Sequence, residues 1–512
     1  MIPLWSNPEF IRNCRAQLRP RRVVLVISIT ALLSFVVAYS MKVELHWGRQ
    51  YMVLALSAQL FILLGGGAIA VGQSISRERE RNTFDFQRVT QLSALDLALG
   101  KLFGAPVLAY FVTACLVPPV VFGAIVGNVP LDLLLGSYVL MLALAVAVHA
   151  VALLFSMSAT QRGTGLAGIG LALFLLMASS AGDRSRLVFD LGPLGPSAPV
   201  QFADTGSWQT RAPSPTVSSD WTDVFFGVPV HHVPVFVLLY GSLTLWCLLA
   251  LMRNLKKDPA VVELFSPAQS VALLCYANFL AVAFYMFGDV GHSHAVEKQQ
   301  SLSDALHFFL GMNLALLYLL GFALLRNREQ MRRRVHRLGG FKWTDAGWPA
   351  LCVLAGAAIV AAMVIARATT AEGVKHDLNT PFVAFQAIMM LVLILRDLCF
   401  FQWMNLRRVP RPMVLGLVFL GVFYFCGSLI LSVTGAGSGA AHQSNPFLTP
   451  VLGPWQVMGM LSYEWAPNTG PWFAGLALQI AATICFAALQ YKQAEDLRPS
   501  AAPAPVLLPA QK

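Results

Sequence analysis

Twelve blocks of predominantly apolar residues, each about as long as a membrane-spanning helix, divide this chain of 512 residues. About 20 such residues cross the hydrocarbon core of a bilayer as an α-helix. Lipid offers the backbone no hydrogen-bond partners, so a helix is the form that fits blocks of this length. We therefore predict an all-α integral membrane protein with about twelve transmembrane helices. The predicted spans are 23–39, 51–72, 102–126, 131–157, 164–181, 233–251, 268–287, 304–325, 348–366, 381–401, 413–433 and 471–489.

The composition excludes a soluble protein of this length. Charged residues make up 12% of the chain and hydrophobic residues 57%, whereas a soluble domain carries about 25% charged residues. Seven of the eight cysteines fall inside predicted spans, with no Cys-x-x-Cys or Cys/His spacing typical of a metal site. A polar loop explains the histidine and acidic residues of 289–297 better than metal ligation does. We expect no metal or cofactor in this chain.

The distribution of basic residues predicts the orientation of the spans. If the N-terminus is cytoplasmic and twelve spans alternate, 28 of the 36 Lys and Arg residues fall in cytoplasmic segments. Such a bias is typical of membrane proteins, which carry their basic loops on the inner side. We therefore predict cytoplasmic N- and C-termini in a multi-pass protein of the inner (cytoplasmic) membrane. Basic charge in short loops between spans favours contact with anionic lipid, and we expect no nucleic-acid partner.

Loop lengths suggest that the chain consists of two six-helix halves. In each half a long cytoplasmic loop follows the second span and a long outside loop precedes the last span. We predict a first half at 1–257, a second half at 258–490 that is a degenerate parallel repeat, and a disordered cytoplasmic tail at 491–512. Chance alternation of short and long loops gives the same pattern. Ahead of the first span, residues 8–22 have the apolar spacing of an amphipathic interface helix, with a disordered tail as the alternative.

The segment between the second and third predicted spans carries the most specific pattern. Charges alternate in sign over residues 77–81, and apolar Phe84, Phe86 and Val89 follow on a loop that lipid does not need to contact. Exposed apolar side chains on a charged loop indicate a docking surface. Ser93 and Asp96 have the spacing of a capping box that begins a helix. We predict an elbow of two short helices, the outer one presenting aromatic residues.

This elbow resembles that of the permease subunits of type-2 ABC exporters. The similar motifs are Asn7-Pro8-Glu9-Phe10, Glu78-Arg79-Glu80-Arg81-Asn82-Thr83, Thr90-Gln91-Leu92-Ser93 and Gly100-Lys101. The resemblance implies that the elbow is a coupling helix that contacts separate ATPase subunits, which bind ATP and magnesium. By this resemblance the contact residues are Glu78, Arg79, Glu80, Arg81, Thr83, Phe84 and Asp85. It also implies alternating access or channel-like opening, driven by closure of the ATPase subunits.

The motifs that the chain lacks narrow its own role. No Walker A pattern occurs, so we expect a transport subunit that is not itself an enzyme and needs an ATPase partner. One chain could supply both permease halves, or it could pair with a second permease chain. A twelve-helix secondary transporter driven by an ion gradient is the alternative, followed by a membrane enzyme or assembly factor. Embedded charge is sparse: Arg396 and Asp397 are expected near a span end, and buried His149 is interpreted as a hydrogen-bonded residue.

Overall fold

A computed structural model describes most of the chain as helices. The described residues are 3–42, 47–81, 83–84, 87, 92–158, 200, 222–225, 228–257, 265–286, 288–289, 295–341, 343, 347–368, 380–409, 412–433 and 470–497. The chain divides into two compact units. The first comprises Met1–Leu264 with Gly288–Gly291, and the second comprises Phe265–Phe287 with His292–Lys512. The predicted fifth span and the histidines of 289–297 lie outside the described residues.

The first unit begins with a 3-10 turn, Leu4–Ser6, and contains ten of the labelled α-helices. They are α1 Pro8–Gln17, α2 Pro20–Met41, α3 Trp47–Phe61, α4 Ala68–Gly72, α5 Ser74–Glu80, α6 Ala94–Gly104, α7 Val107–Cys115, α8 Val117–Val126, α9 Leu131–Ser158 and α10 His232–Asn254. Three short strands form an antiparallel sheet in the order β2-β1-β3. These are β1 Thr222–Phe225, β2 Val228–His231 and β3 Gly288–Asp289. The N-terminal helix predicted at 8–22 is confirmed as α1 over Pro8–Gln17, whereas Leu18 and Arg19 separate it from residues 20–22, which begin α2.

The second unit is helical wherever it is described. Its helices are α11 Pro267–Met286, α12 Ala295–Leu324, α13 Arg328–Leu338, α14 Trp348–Ala368, α15 Thr380–Leu406, α16 Pro412–Val433 and α17 Gly470–Glu495. Within this unit α15 packs along α17 and also contacts α12, α14 and α16. The central helix α15 therefore touches most of its neighbours, and its side chains decide how they are held together.

The helices have the length and composition of membrane spans. Among the described residues, eight helices are long and apolar enough to cross a bilayer, or nine if a pair bent by 68° is one span. The bent pair is Phe309–Leu324 with Arg328–His336, and shorter apolar helices cover Pro267–Val282 and Leu415–Tyr424. The chain is thus a helical multi-pass membrane protein. The total of twelve spans remains a prediction.

Apolar side chains on the outer faces of these helices point away from the protein. Helix α2 has no buried residue at all, and Phe35 on it is 70% exposed. Ile125 on α8 and Val353 on α14 are 71% and 74% exposed. Contiguous apolar surface of this extent is rare on soluble monomers. It is the surface expected of helices whose solvent is hydrocarbon.

A π-helical turn at Ile62–Gly67 interrupts the second span between α3 and α4. Buried His149 of α9 lies against this turn, with its Nε2 2.9 Å from the Leu63 carbonyl oxygen and its Nδ1 3.0 Å from the Tyr110 hydroxyl. A Cβ atom at Gly67 would lie 2.2 Å from His149 Nε2, so the turn needs glycine here. Both ring nitrogens have partners, which confirms the interpretation of His149 as a hydrogen-bonded residue.

Helices α3 and α8 approach each other closely at three glycines, and this contact gives a first prediction. A Cβ atom at Gly123 would lie 2.8 Å from the backbone nitrogen of Met52. Small residues at such crossings let two helix backbones meet inside a membrane. We expect Gly123→Ala to lower the free energy of unfolding by about 1–3 kcal/mol, because the backbones must separate. Unfolding in mixed micelles that contain an increasing fraction of a denaturing detergent measures the change.

The control for Gly123→Ala is Gly241→Ala in α10. A Cβ atom at Gly241 meets no heavy atom within 4 Å, so only the helix propensity changes, which favours alanine by about 1 kcal/mol. Equal stability of the two variants would contradict the close crossing of α3 and α8.

Candidate functional site

Three segments that are far apart in the sequence meet at one buried lysine. Lys101 of α6 is 1% exposed, and its Nζ lies 3.3 Å from Glu9 Oε1 and also donates to Glu78 Oε2. Arg12 donates from Nη2 to Glu9 Oε1 at 2.7 Å and to Glu78 Oε1 at 2.5 Å. We call these four residues the charge cluster. It contains two positive and two negative side chains, so the buried charges compensate each other.

Capping residues place the two helices that carry Glu9 and Lys101. Asn7 Oδ1 accepts hydrogen bonds from the amides of Glu9 and Phe10 at 3.0 and 3.4 Å, which begins α1. The Asn7 Nδ2 group donates to the Asp96 carbonyl oxygen at 2.7 Å, tying α1 to the first turn of α6. Ser93 Oγ accepts from the Asp96 amide at 3.0 Å, as the predicted helix start requires. The same side chains that begin the helices also join them.

Two glycines of α6 allow α1 to lie directly against it. A Cβ atom at Gly100 would lie 2.8 Å from Asn7 Oδ1 and from Glu9 Cβ. A Cβ atom at Gly104 would lie 3.0 Å from Asn13 Nδ2. Glycine at 100 therefore brings the Glu9 carboxylate within reach of the neighbouring Lys101. This is a physical reason for the Gly100-Lys101 pair that the sequence singled out.

The elbow after the second span is held by its own backbone and by the cluster. The amide and the hydroxyl of Thr83 both donate to the Glu78 carbonyl oxygen, at 2.9 and 3.2 Å, where α5 ends. Gln87 Nε2 donates to Glu78 Oε1 at 2.9 Å. Arg79 Nη2 donates to the Met157 carbonyl oxygen at 3.0 Å, so it caps the C-terminal end of α9. The elbow is thereby fixed to α6 and α9.

Phe84 does not take the exposed position that the sequence analysis gave it. Its side chain is 2% exposed and lies under the Arg79 guanidinium, 5.3 Å from the ring centroid. The expectation of an exposed docking aromatic is therefore wrong for Phe84. The cause is the fold of the elbow, since α5 ends at Glu80 and the chain turns Phe84 inward beneath Arg79. Asp85, Phe86 and Val89 lie outside the described residues.

The predicted contact residues thus separate into two groups. Glu78, Arg79 and Phe84 face the protein, whereas Glu80, Arg81 and Thr83 are exposed. The exposed group, together with exposed Arg77, presents alternating charges on the surface of the elbow, and the charge cluster holds the elbow in place. Asn7, Glu9, Arg12 and Lys101 were not among the predicted site residues. For Asn7, Glu9 and Lys101 the signal in the sequence was membership of the Asn7–Phe10 and Gly100-Lys101 motifs, and Arg12 lies outside both motifs.

Comparisons of the chain with protein-family models, with curated proteins and with solved structures give no match. The resemblance to type-2 ABC permeases is carried by the motifs alone. Within the described residues, no group of three His, Cys, Asp or Glu side chains is arranged to hold a metal ion.

A second polar cluster lies inside the second unit. Arg396 and Asp397 are 4% and 0% exposed and sit near the middle of the span Ala384–Leu406, so the expectation that they lie near a span end is wrong. The helix continues to Leu406, beyond the predicted span end at 401, and Gln402 bonds to both backbone groups of Arg326 at 2.9 Å, which joins the end of α15 to the α12–α13 bend. Two ionisable residues are therefore embedded where the sequence analysis expected almost none.

Side chains from four helices converge on this ion pair. Arg396 donates from Nε and Nη2 to Asp397 Oδ1 at 3.0 and 2.8 Å. It also donates to Gln479 Oε1 of α17 at 2.7 Å and to the Tyr424 hydroxyl of α16 at 2.6 Å. Asp397 Oδ2 accepts from the Tyr318 hydroxyl of α12 at 2.5 Å and from the Tyr424 hydroxyl. We call these five residues the membrane cluster; no sequence pattern indicated the two tyrosines or the glutamine.

Proposed function

We propose that the chain is the membrane permease subunit of an ATP-driven ABC transporter, an exporter that works with separate ATPase subunits. In this proposal twelve spans form two six-helix halves, both termini are cytoplasmic, and the protein lies in the inner (cytoplasmic) membrane. The elbow after the second span is the contact with the ATPase. Its exposed residues Glu80, Arg81 and Thr83 bind the partner, while Glu78 and Arg79 hold the elbow to the bundle.

The charge cluster is the observation that best supports this function. A subunit driven by another protein needs a surface element that moves with its spans, and a flexible loop would absorb the displacement. Here Glu78 of the elbow is bound to Lys101 of α6 and Arg12 of α1. Charge-assisted hydrogen bonds are short and directional, and three of the four charged side chains, those of Lys101, Glu9 and Glu78, are shielded from solvent. A pull on α5 is therefore transmitted to α1 and to the span that follows α6.

A charge exchange on the exposed face of the elbow tests the proposal. In the variant Glu80→Lys/Arg81→Glu the net charge is unchanged but both contact charges are reversed. We expect ATP hydrolysis that co-purifies with the chain in mild detergent to fall by at least about tenfold, which corresponds to about 1.4 kcal/mol of binding. Cross-linking from Arg81→Cys to an ATPase chain measures the same contact directly.

The matched control is Arg15→Glu on the exposed face of α1. It changes a neighbouring charge outside the elbow, and we expect the co-purifying hydrolysis to stay within about twofold, since exposed single charges contribute little. The permease function is ruled out if no ATP hydrolysis co-purifies with the wild-type chain and Arg81→Cys forms no cross-link to an ATPase chain. Equal losses in both variants would show that the contact with the partner is not specific to the elbow.

The membrane cluster favours a secondary transporter as the second candidate. Ionisable side chains inside a span commonly belong to ion pathways. Transport that continues when ATP is depleted, but stops when the proton gradient is abolished, would identify this class. The exporter proposal expects the opposite response.

A further inference from the structure

The membrane cluster occupies a position where charge is costly. Arg396 and Asp397 are adjacent on α15, and neighbouring residues of a helix do not normally face each other. Here both side chains turn to one side, toward Gln479, Tyr318 and Tyr424. Transferring an ion pair from water to a low-dielectric interior costs several kcal/mol per ion before the attraction is counted.

Apolar contacts join the same helices close to this pair. One turn farther along α15, Phe400, Phe401 and Met404 pack against partly buried Phe322 and Phe486, which joins the same α12 and α17 with apolar contacts. Well-packed apolar residues often stabilise a structure as much as a buried ion pair or more. The cluster therefore has a property that packing alone does not explain.

The cluster can provide hydrogen-bond partners for Asp397 in both its ionised and its protonated state. In the ionised state the carboxylate accepts from Arg396 and from two tyrosine hydroxyls. A hydroxyl can donate or accept, so a protonated Asp397 can donate to Tyr318 or Tyr424 once that hydroxyl rotates. Arg396 then keeps two neutral acceptors, the Gln479 carbonyl oxygen and the Tyr424 hydroxyl.

Gln479 shows that the network is not closed in the ionised state. Its side chain is 1% exposed, and its Nε2 donates to no group in the part of the chain that the structure describes. A buried donor without an acceptor costs about 1–3 kcal/mol. The carbonyl oxygen of the same amide accepts from Arg396, so an unsatisfied donor adjoins the ion pair.

The polar groups that bond to Arg396 and Asp397 from other helices come from three of the helices packed on α15. Helix α12 supplies Tyr318, α16 supplies Tyr424 and α17 supplies uncharged Gln479. The titratable residue that α14 buries in this unit is the thiol of Cys352, and α13 meets α15 only near its C-terminal end. Among the described residues the neighbouring arginine is therefore the one full charge in contact with the carboxylate.

We propose that Asp397 is a proton-binding site within the membrane. The proton joins Asp397 Oδ2, the neutral acid donates to a tyrosine hydroxyl, and Arg396 remains charged on Gln479 and Tyr424. Loss of the carboxylate charge weakens the bonds from α12 and α16 to α15. This site is separate from the elbow and does not depend on an ATPase partner.

Infrared difference spectroscopy of the purified chain in lipid nanodiscs tests the proposal. We titrate from about pH 2 to about pH 9, a range that brackets the reference values of carboxyl and histidine groups, and follow the carbonyl stretch of protonated carboxylic acid. The wild-type spectrum is expected to contain a pH-dependent band that Asp397→Asn lacks. In Arg396→Gln the midpoint of this band should move to higher pH by about 1–3 units, because an opposite charge is removed.

Two glutamines of α17 provide a matched pair. Gln479→Leu removes an acceptor that the charged arginine needs once the acid is neutral, so the midpoint should move to lower pH. Gln490 is equally buried on the same helix and likewise has an amide without a partner among the described residues, and Gln490→Leu should leave the midpoint unchanged. If Asp397→Asn fails to fold, Tyr318→Phe assigns the band, since losing one donor to the carboxylate should raise the midpoint.

The outcomes separate this inference from the proposed function. Identical spectra for wild type and Asp397→Asn over the whole pH range, or equal shifts in the two glutamine variants, would overturn the proton site and leave a fixed ion pair. Either result leaves co-purification of an ATPase unaffected. A proton site without a co-purifying ATPase would in turn favour the secondary transporter.

Discussion

Lys101→Met is expected to lower the free energy of unfolding by about 3–5 kcal/mol, because it leaves two nearly buried carboxylates with half-exposed Arg12 as their one shared positive partner in the charge cluster. Lys101 and Glu9 are 1% and 6% exposed, and the side chain of Glu78 is 12% exposed. Methionine has a similar length and keeps the apolar contacts of the stem, so the loss reports the charge and not the packing. Detergent-denaturant titration in mixed micelles measures the change.

The exposed pair of Arg333 and Glu329 on α13 is the control for this variant. These side chains are 52% and 57% exposed at 3.2 Å, and such pairs contribute about 0–1 kcal/mol. Arg333→Met should therefore change stability little. Adding Glu78→Gln to Lys101→Met should recover part of the loss, because one uncompensated charge disappears. A loss from Lys101→Met as small as that from Arg333→Met would show that the charge cluster does not hold the elbow.

Lys101 also links stability to the proposed coupling. If the cluster transmits force, Lys101→Met should weaken the response of ATP hydrolysis to the permease even where the exposed Glu80 and Arg81 are intact. Binding of the ATPase would then survive while its coupling is lost. The charge exchange at Glu80 and Arg81 gives the reverse pattern, with binding itself reduced.

The sequence predicted only those features of the candidate site whose interacting residues lie close together in the chain. The helix start at Ser93 depends on an amide three residues away, so its spacing is visible in the sequence. The partners of Lys101 are 92 and 23 residues distant, at Glu9 and Glu78, and no local pattern reports such distances. The burial of Phe84 was missed for the same reason, since the Arg79 guanidinium that covers it is placed by a carbonyl of α9.

For the fold too, the features that depend on neighbouring residues were predictable, and those that depend on distant residues were not. Span positions follow from hydropathy over about 20 residues, and for this reason the helical membrane class was predictable. The bend of 68° after Leu324 was not predictable in this way. At this bend the side chain of Gln402, from another helix, forms hydrogen bonds with the backbone of Arg326. The depth of Arg396 was missed because α15 continues beyond the apolar block by which it was recognised.

The membrane cluster gives the last prediction, a double-variant cycle on its ion pair. We expect Arg396→Met and Asp397→Leu each to lower the free energy of unfolding by about 3–5 kcal/mol, because each leaves the other charge buried without its counter-ion. The double variant should be more stable than either single variant by at least about 2 kcal/mol, since no uncompensated charge remains. The hydroxyls of Tyr318 and Tyr424 are close enough to bond each other once the ions are gone.

This cycle separates what the ion pair does for the fold from what it does in the membrane. A double variant that folds but lacks the pH-dependent carbonyl band would show that four helices hold together on apolar contacts such as Phe401 with Phe322, whose ring centroids lie 4.8 Å apart. The two charges would then serve proton binding and not the packing of the helices. Additive losses, with the double variant the least stable of the three, would instead make the pair a structural tie between α15, α16 and α17.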